Sequence, residues 1–381
     1  MKIWPYLLAG VLALLPLASM AGAEEEGEAA SRSSRKARAG VDKERDVRKA
    51  ASRKKRELRE MGVRNVRVKT PGDWPRQVSV PKETELTQGA VRPGQSGFVF
   101  SSNNYRYFSP VQLAPNAQQT VARLCECAYA ANKAVSEVLP VKRMADDRKG
   151  KLFTIILQPT MAAYLAAGGP ERSAGVFGFS STEGMTPTSE EAIQMESVMI
   201  PFESLGLNRS GAVEREDIDT HALVHELTHQ QFVLNRLPIW ANEGWAEYVG
   251  YVPYVGEELD FERGFSLILH TAKKRAQHGM LDFDFKLEEF LTMDQETMYD
   301  CMKQEKDTYT LSVLTIAFFV HLDGKRGIDA MKAYLQALLD GQSPQEAAEV
   351  LIKPYHSAAR LQSSFLRAWR GKKVKISFPK K

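Results

Sequence analysis

The chain is 381 residues long, 43% hydrophobic and 26% charged, with a formal charge of +4. That length holds one to three domains and a core large enough to fold without disulfide or metal staples. The composition excludes collagen, a coiled-coil rod and a multi-pass membrane protein, and three cysteines are too few for a disulfide scaffold.

Residues 1–23 read as a secretory signal peptide. Lys2 supplies the positive start, residues 7–18 a short apolar run, and Ala21-Gly22-Ala23 a small-residue cleavage site. The apolar run is too short to cross about 30 Å of hydrocarbon, so no stable membrane span is expected. The mature chain is expected to be exported, either periplasmic or secreted.

Residues 24–95 read as a charged, disordered arm and linker. From Glu24 to Glu60 there are 13 basic and nine acidic residues and almost no large apolar ones. Such a segment cannot repay its ordering entropy by burial. Residues 61–381 hold 37 basic and 38 acidic residues, so the basicity belongs to the arm. No aromatic residues interleave the basic run, and no nucleic-acid partner is expected. Contact between the arm and an anionic envelope surface stays open, as does the oligomeric state. Pro71, Pro75, Pro81 and Pro93 mark the rest as linker or extended approach.

Residues 96–205 read as an α/β subdomain. A strand is expected over 97–108, a long helix over 116–139, a buried strand over 151–157 and a short helix over 161–167. Two further strands are expected at 176–179 and 197–202, the second as the sheet edge that pairs with an extended substrate. Residues 206–381 read as a predominantly helical subdomain. Its helices are expected near 218–234, 241–251, 260–278, 295–304, 309–323, 326–340, 344–353 and 355–370, the seventh starting at Ser343. The fold class is α+β: a small mixed sheet with a long helix, then helices.

The chemistry lies in His225-Glu226-Leu227-Thr228-His229. Positions i and i+4 share a helix face, so both imidazoles can reach one ion, and Glu226 faces the same cleft. A hydrolytic zinc site needs a third protein ligand and an open fourth position. Fourteen residues on, Asn242-Glu243-Gly244-Trp245-Ala246-Glu247-Tyr248 lies on the next helix.

That pair of motifs resembles the gluzincin zinc metallopeptidases, which include thermolysin and the aminopeptidase N family. With Pro238-Ile239-Trp240 ahead of Asn242-Glu243-Gly244, it also resembles the shorter bacterial peptidase-MA-like domains. The resemblance implies a hydrolase that cleaves a peptide or protein substrate with one Zn2+ ion. It implies that His225, His229 and Glu243 are the metal ligands and Glu226 the general base. Glu247 would accept a hydrogen bond from a ligand imidazole and fix its tautomer. Tyr309, opening a later apolar helix, would stabilise the oxyanion. Thirteen residues separate His229 from Glu243, fewer than in thermolysin or aminopeptidase N, so the cleft wall differs. Met195-Glu196-Ser197 loosely echoes the segment that grips a free N-terminus in aminopeptidase N relatives, but the Gly is missing and Ser replaces Asn.

Three imidazoles at i, i+4 and i+8 span about 12 Å, so His221 cannot share a small ion with both others. It reads as a cleft-rim partner or a surface residue. Tyr248, His270 and His321 read as core or surface. Cys125, Cys127 and Cys301 read as buried thiols, with a bridge to Cys301 left open. The alternative to an enzyme is a non-catalytic exported binding protein on the same fold, holding a cell-envelope partner.

Overall fold

A computed structural model describes residues 74–80, 83–91, 96–141, 151–170, 175–179, 196–214, 220–232, 237–255, 257–276, 279–304 and 307–379. The signal-peptide segment, the charged arm up to residue 73, and Met195 lie outside these residues.

The first region contains β1 (Gln77–Ser79), β2 (Thr87–Gly89), β3 (Phe98–Ser101), β4 (Tyr105–Ser109), α1 (Pro115–Val138), β5 (Phe153–Gln158), α2 (Met161–Ala166), β6 (Val176–Phe179) and β7 (Glu196–Pro201). Among the described residues, six strands form one mixed sheet in the order β2-β3-β4-β5-β7-β6. The central pairs β4–β5 and β5–β7 are parallel; the outer pairs are antiparallel. Strand periodicity of two explains the buried face, where Tyr105 and Tyr107 of β4 lie beside Phe153, Ile155 and Leu157 of β5. Pro115 starts α1 at a position where its missing N–H costs nothing. The helix then buries Val121, Cys125, Ala128 and Val135.

Three expectations are corrected here. The single strand expected over 97–108 is a hairpin of β3 and β4, turned at Ser102-Asn103-Asn104. Glu126 of α1 holds that turn, accepting from Ser102 Oγ at 2.7 Å, Asn104 N at 2.8 Å and Asn104 Nδ2 at 2.6 Å. The strand expected as the sheet edge, β7, lies between β5 and β6, so β6 is the outer strand. The stretch read as linker or extended approach contributes β1 and β2, and Trp74 before them is buried, so it is part of the fold and not a spacer.

The second region is mainly helical. It runs through α3 (His221–Phe232), α4 (Ile239–Gly250), the hairpin β8 (Tyr254–Val255) and β9 (Glu258–Asp260), and α5 (Phe261–Arg275). It continues with β10 (Met280–Asp282), α6 (Leu287–Leu291), α7 (Gln295–Lys303), α8 (Thr308–Ala317), a π-helical turn at Phe318–Leu322, α9 (Gly324–Leu339), α10 (Pro344–Ile352), α11 (Ala358–Gly371) and β11 (Lys375–Ser377). The predominantly helical reading holds, but it did not include α6, the pairing of β1 with β9, or the parallel pair β10–β11. Ser343 does cap α10, in a reciprocal box with Glu346.

α3 is keyed into the sheet and α1 by polar side chains. Asn132 Nδ2 donates to Thr228 Oγ1 at 3.2 Å, Gln230 Nε2 to the Thr154 carbonyl at 3.2 Å, and Gln231 Nε2 to Tyr105 Oη at 3.4 Å. Buried amides need such partners, so these bonds set one rotation of α3 about its axis. α4 packs against both α3 and α8. Its approach to α8 is close at Gly244, where an added Cβ would come 2.8 Å from Ile316 Cγ1 and 2.9 Å from the Ser312 carbonyl. That contact fixes where α8 starts relative to α3.

Behind α4 lies a buried polar chain. Trp74 Nε1–H donates to Tyr248 Oη at 2.9 Å, and Tyr248 Oη and His321 Nε2 share a hydrogen bond, also of 2.9 Å. Trp74 also stacks on Trp245, centroids 6.0 Å apart, so the segment before β1 is anchored on α4. His321 faces Tyr248, Phe265 and, at longer range, Lys372. Burial, with a smaller contribution from Lys372, lowers its pKa to about 3. The folded chain therefore keeps His321 neutral where the unfolded chain takes up a proton below its ordinary value. Stability from this group is full above about pH 6.5 and declines as pH falls toward about 3. Between pH 7 and pH 5 the loss is about 2 kcal/mol. Urea unfolding of wild type and His321→Gln at both pH values checks this, since the Gln amide can bond Tyr248 Oη in either direction without titrating. The variant's stability should fall less between the two pH values by about that amount.

Candidate metal centre

The donor atoms of His225, His229 and Glu243 lie within 4.8 Å of one another. His225 and His229 project from one face of α3, their Nε2 atoms 3.0 Å apart. Glu243, one turn into α4, places Oε2 3.2 Å from His225 Nε2 and 3.6 Å from His229 Nε2. Ligands at tetrahedral corners, with bonds of about 2.0–2.1 Å, stand about 3.3 Å apart. The three separations bracket that value, and two imidazoles with one carboxylate are a donor set that suits zinc. The residues present therefore fit the ion that the motif implies.

The electrostatics of the cluster favour positive charge. Burial opposes a charged imidazole, but the bonds to Glu243 and Glu247 outweigh it and raise His225 to about 10. Burial likewise pushes Glu243 up, but His225 and His229 bring it down to about 2. Both shifts express one attraction, between the imidazoles of α3 and the Glu243 carboxylate. Glu247 stands one turn beyond Glu243, with Oε1 3.2 Å from His225 Nδ1. Burial raises it, and its bonds to His221 and His225 bring it to about 2.

Glu226 reaches the sheet. Its Oε2 accepts the Phe177 N–H at 2.9 Å, so β6 lies beside it. Burial raises its pKa, against the lowering pull of His229, His225 and the Phe177 amide. Tyr309, in the first turn of α8, has its ring 6.2 Å from that of His225. Burial, then Glu243, Glu226 and Glu247, push its phenol well up. It stays a hydrogen-bond donor at Oη.

No family model matches the sequence, and no curated protein matches it. A solved structure of an M1 zinc metallopeptidase from Deinococcus radiodurans is similar over 78% of this chain, at 14% identity and a TM-score of 0.36. The match covers 53% of that protein, so the chain spans about half its length. A likeness of that size does not establish an activity.

The six residues singled out in the sequence lie near one another: His225, Glu226, His229, Glu243, Glu247 and Tyr309. Tyr248 and His321 are in the core and bond each other. His270 lies on α5, outside the cluster. The cysteines are free and buried; burial pushes the Cys127 thiol up to about 12. The Met195-Glu196-Ser197 echo falls outside the described residues except for strand residues Glu196 and Ser197 of β7. One participant was not expected, and a second was read only as a cleft-rim partner or a surface residue. The Phe177 amide is backbone, and only strand order could have pointed to it. His221 was set aside as too far for a shared ion, yet its Nε2 lies 3.4 Å from Glu247 Oε2. The paired i, i+4 spacing of Glu243 and Glu247 was the available signal for that link.

No helix among the described residues is long and apolar enough to cross a membrane.

Proposed function

We propose that the chain is an exported zinc-dependent peptidase of gluzincin type. The observation that carries this reading is the convergence of His225, His229 and Glu243 at tetrahedral spacing, with Glu226 beside them and held by a strand edge. His225, His229 and Glu243 would hold the ion, leaving a fourth position open. When bound, zinc supplies a Lewis acid that polarises a carbonyl and lowers the pKa of water.

The chain's own residues do the rest. Glu226 takes a proton from the attacking water and delivers it to the leaving amine. Tyr309 Oη, kept protonated by burial and by its carboxylate neighbours, donates to the oxyanion. β6 ends the sheet next to Glu226, and an extended peptide adding to that edge would lie across the base. Export is supported by the charged start, apolar run and small-residue site at residues 1–23.

The test is cleavage of a mixed peptide library by zinc-loaded protein, by chelated protein, and by chelated protein with zinc restored. Cleavage that stops with chelator and returns with zinc is expected. Zinc retention without any cleavage would contradict the enzyme reading and leave a metal-holding binding protein.

A further inference from the structure

The row of imidazoles on α3 is one member longer than the donor set. His221, His225 and His229 stand at successive turns, and Glu243 and Glu247 of α4 face them in the intervals. Glu243 lies between His225 and His229, and Glu247 between His221 and His225. Glu247 Oε2 is 3.4 Å from His221 Nε2, while Oε1 is 3.2 Å from His225 Nδ1. Glu247 is 8% exposed. A buried carboxylate needs donor or cationic groups close by, and these two imidazoles stand at ion-pair distance from its two oxygens.

The surroundings hold the His221 ring in that place. Tyr251 packs on it with centroids 4.5 Å apart. On the α4 side the chain has Gly250, where an added Cβ would come 2.9 Å from His221 Cδ2 and 3.0 Å from Nε2. The helix lacks a side chain where the imidazole lies.

We propose that His221 is a positioning residue for the metal centre: its N–H anchors Glu247, which in turn orients His225 toward the ion. The inference rests on the zinc reading above. A partner of this kind makes its imidazole a better and better-aimed ligand, worth about 10- to 100-fold in metal affinity when directly bonded. His221 acts one bond further out, so its removal should read near the lower end, roughly tenfold. An ordinary interhelical contact would change stability and leave metal affinity alone.

The experiment is zinc affinity of the full chain by competition with a chromogenic chelator, with thermal unfolding of the metal-free proteins alongside. His221→Leu should bind zinc roughly tenfold more weakly. His221→Gln, which keeps a donor, should stay within about threefold. Gly250→Ala keeps the imidazole but pushes it from Glu247, and should also weaken zinc although alanine favours a helix. The visible spectrum of the cobalt-substituted Leu variant should shift from wild type. Wild-type protein that does not bind zinc would overturn the reading of the centre itself. Wild-type binding with His221→Leu within twofold of it would overturn the role of His221 alone. If the Leu variant does not fold, Gly250→Ala decides: unchanged zinc affinity there overturns the proposal.

Discussion

Glu226→Gln is expected to lower the turnover of peptide hydrolysis by about 100- to 10,000-fold, the range for general acid–base catalysis. Zinc content should be unchanged. The two effects separate because Glu226 is not among the converging donors and sits on the sheet side of the cleft, bonded to the Phe177 amide. Glutamine keeps the size and an oxygen that can accept that N–H. It loses only the capacity to take a proton. KM should move little, since the lost interaction belongs to the transition state. Turnover within about tenfold of wild type would remove Glu226 as the base.

The second large effect is at Glu243. Glu243→Ala should weaken zinc binding by more than the roughly 10- to 100-fold attached to supporting partners, because it removes a donor. It also leaves His225 and His229 3.0 Å apart without the carboxylate that both face. Glu247→Ala, one turn further, should fall within that 10- to 100-fold range. The contrast matters because Glu243 and Glu247 are nearly alike in burial and both touch His225. Only Glu243 Oε2 is near both Nε2 atoms, whereas Glu247 meets His225 at Nδ1. Equal losses from both substitutions, read by chelator competition, would contradict this division.

Much of the site was legible because its residues lie at helical spacing. His225 and His229, and Glu243 and Glu247, are i, i+4 pairs, and helix geometry alone puts each pair on one face. The long helix α1 and the buried strand β5 were legible through their apolar periodicity. The features that escaped are those set by partners distant in sequence. The hairpin turn at Ser102 depends on Glu126, and alternation across 97–108 shows no break without it. β7 is apolar enough for an edge or an interior strand; only its pairing with both β5 and β6 distinguishes them. Gln230 and Gln231 look like solvent-facing residues after a motif, yet both are buried because the sheet and Tyr105 give them partners. Trp74 sits in a stretch of linker composition, and its pocket is built by Trp245 and Tyr248.

The central claim is a three-donor zinc site made by α3 and α4, and X-ray absorption at the zinc edge of the purified protein tests it most directly. The account predicts about one zinc per chain, with two imidazole nitrogens, a carboxylate oxygen and one further light-atom ligand. A sulfur ligand, or a zinc signal that persists unchanged in a His225→Ala, His229→Ala double variant, would contradict it.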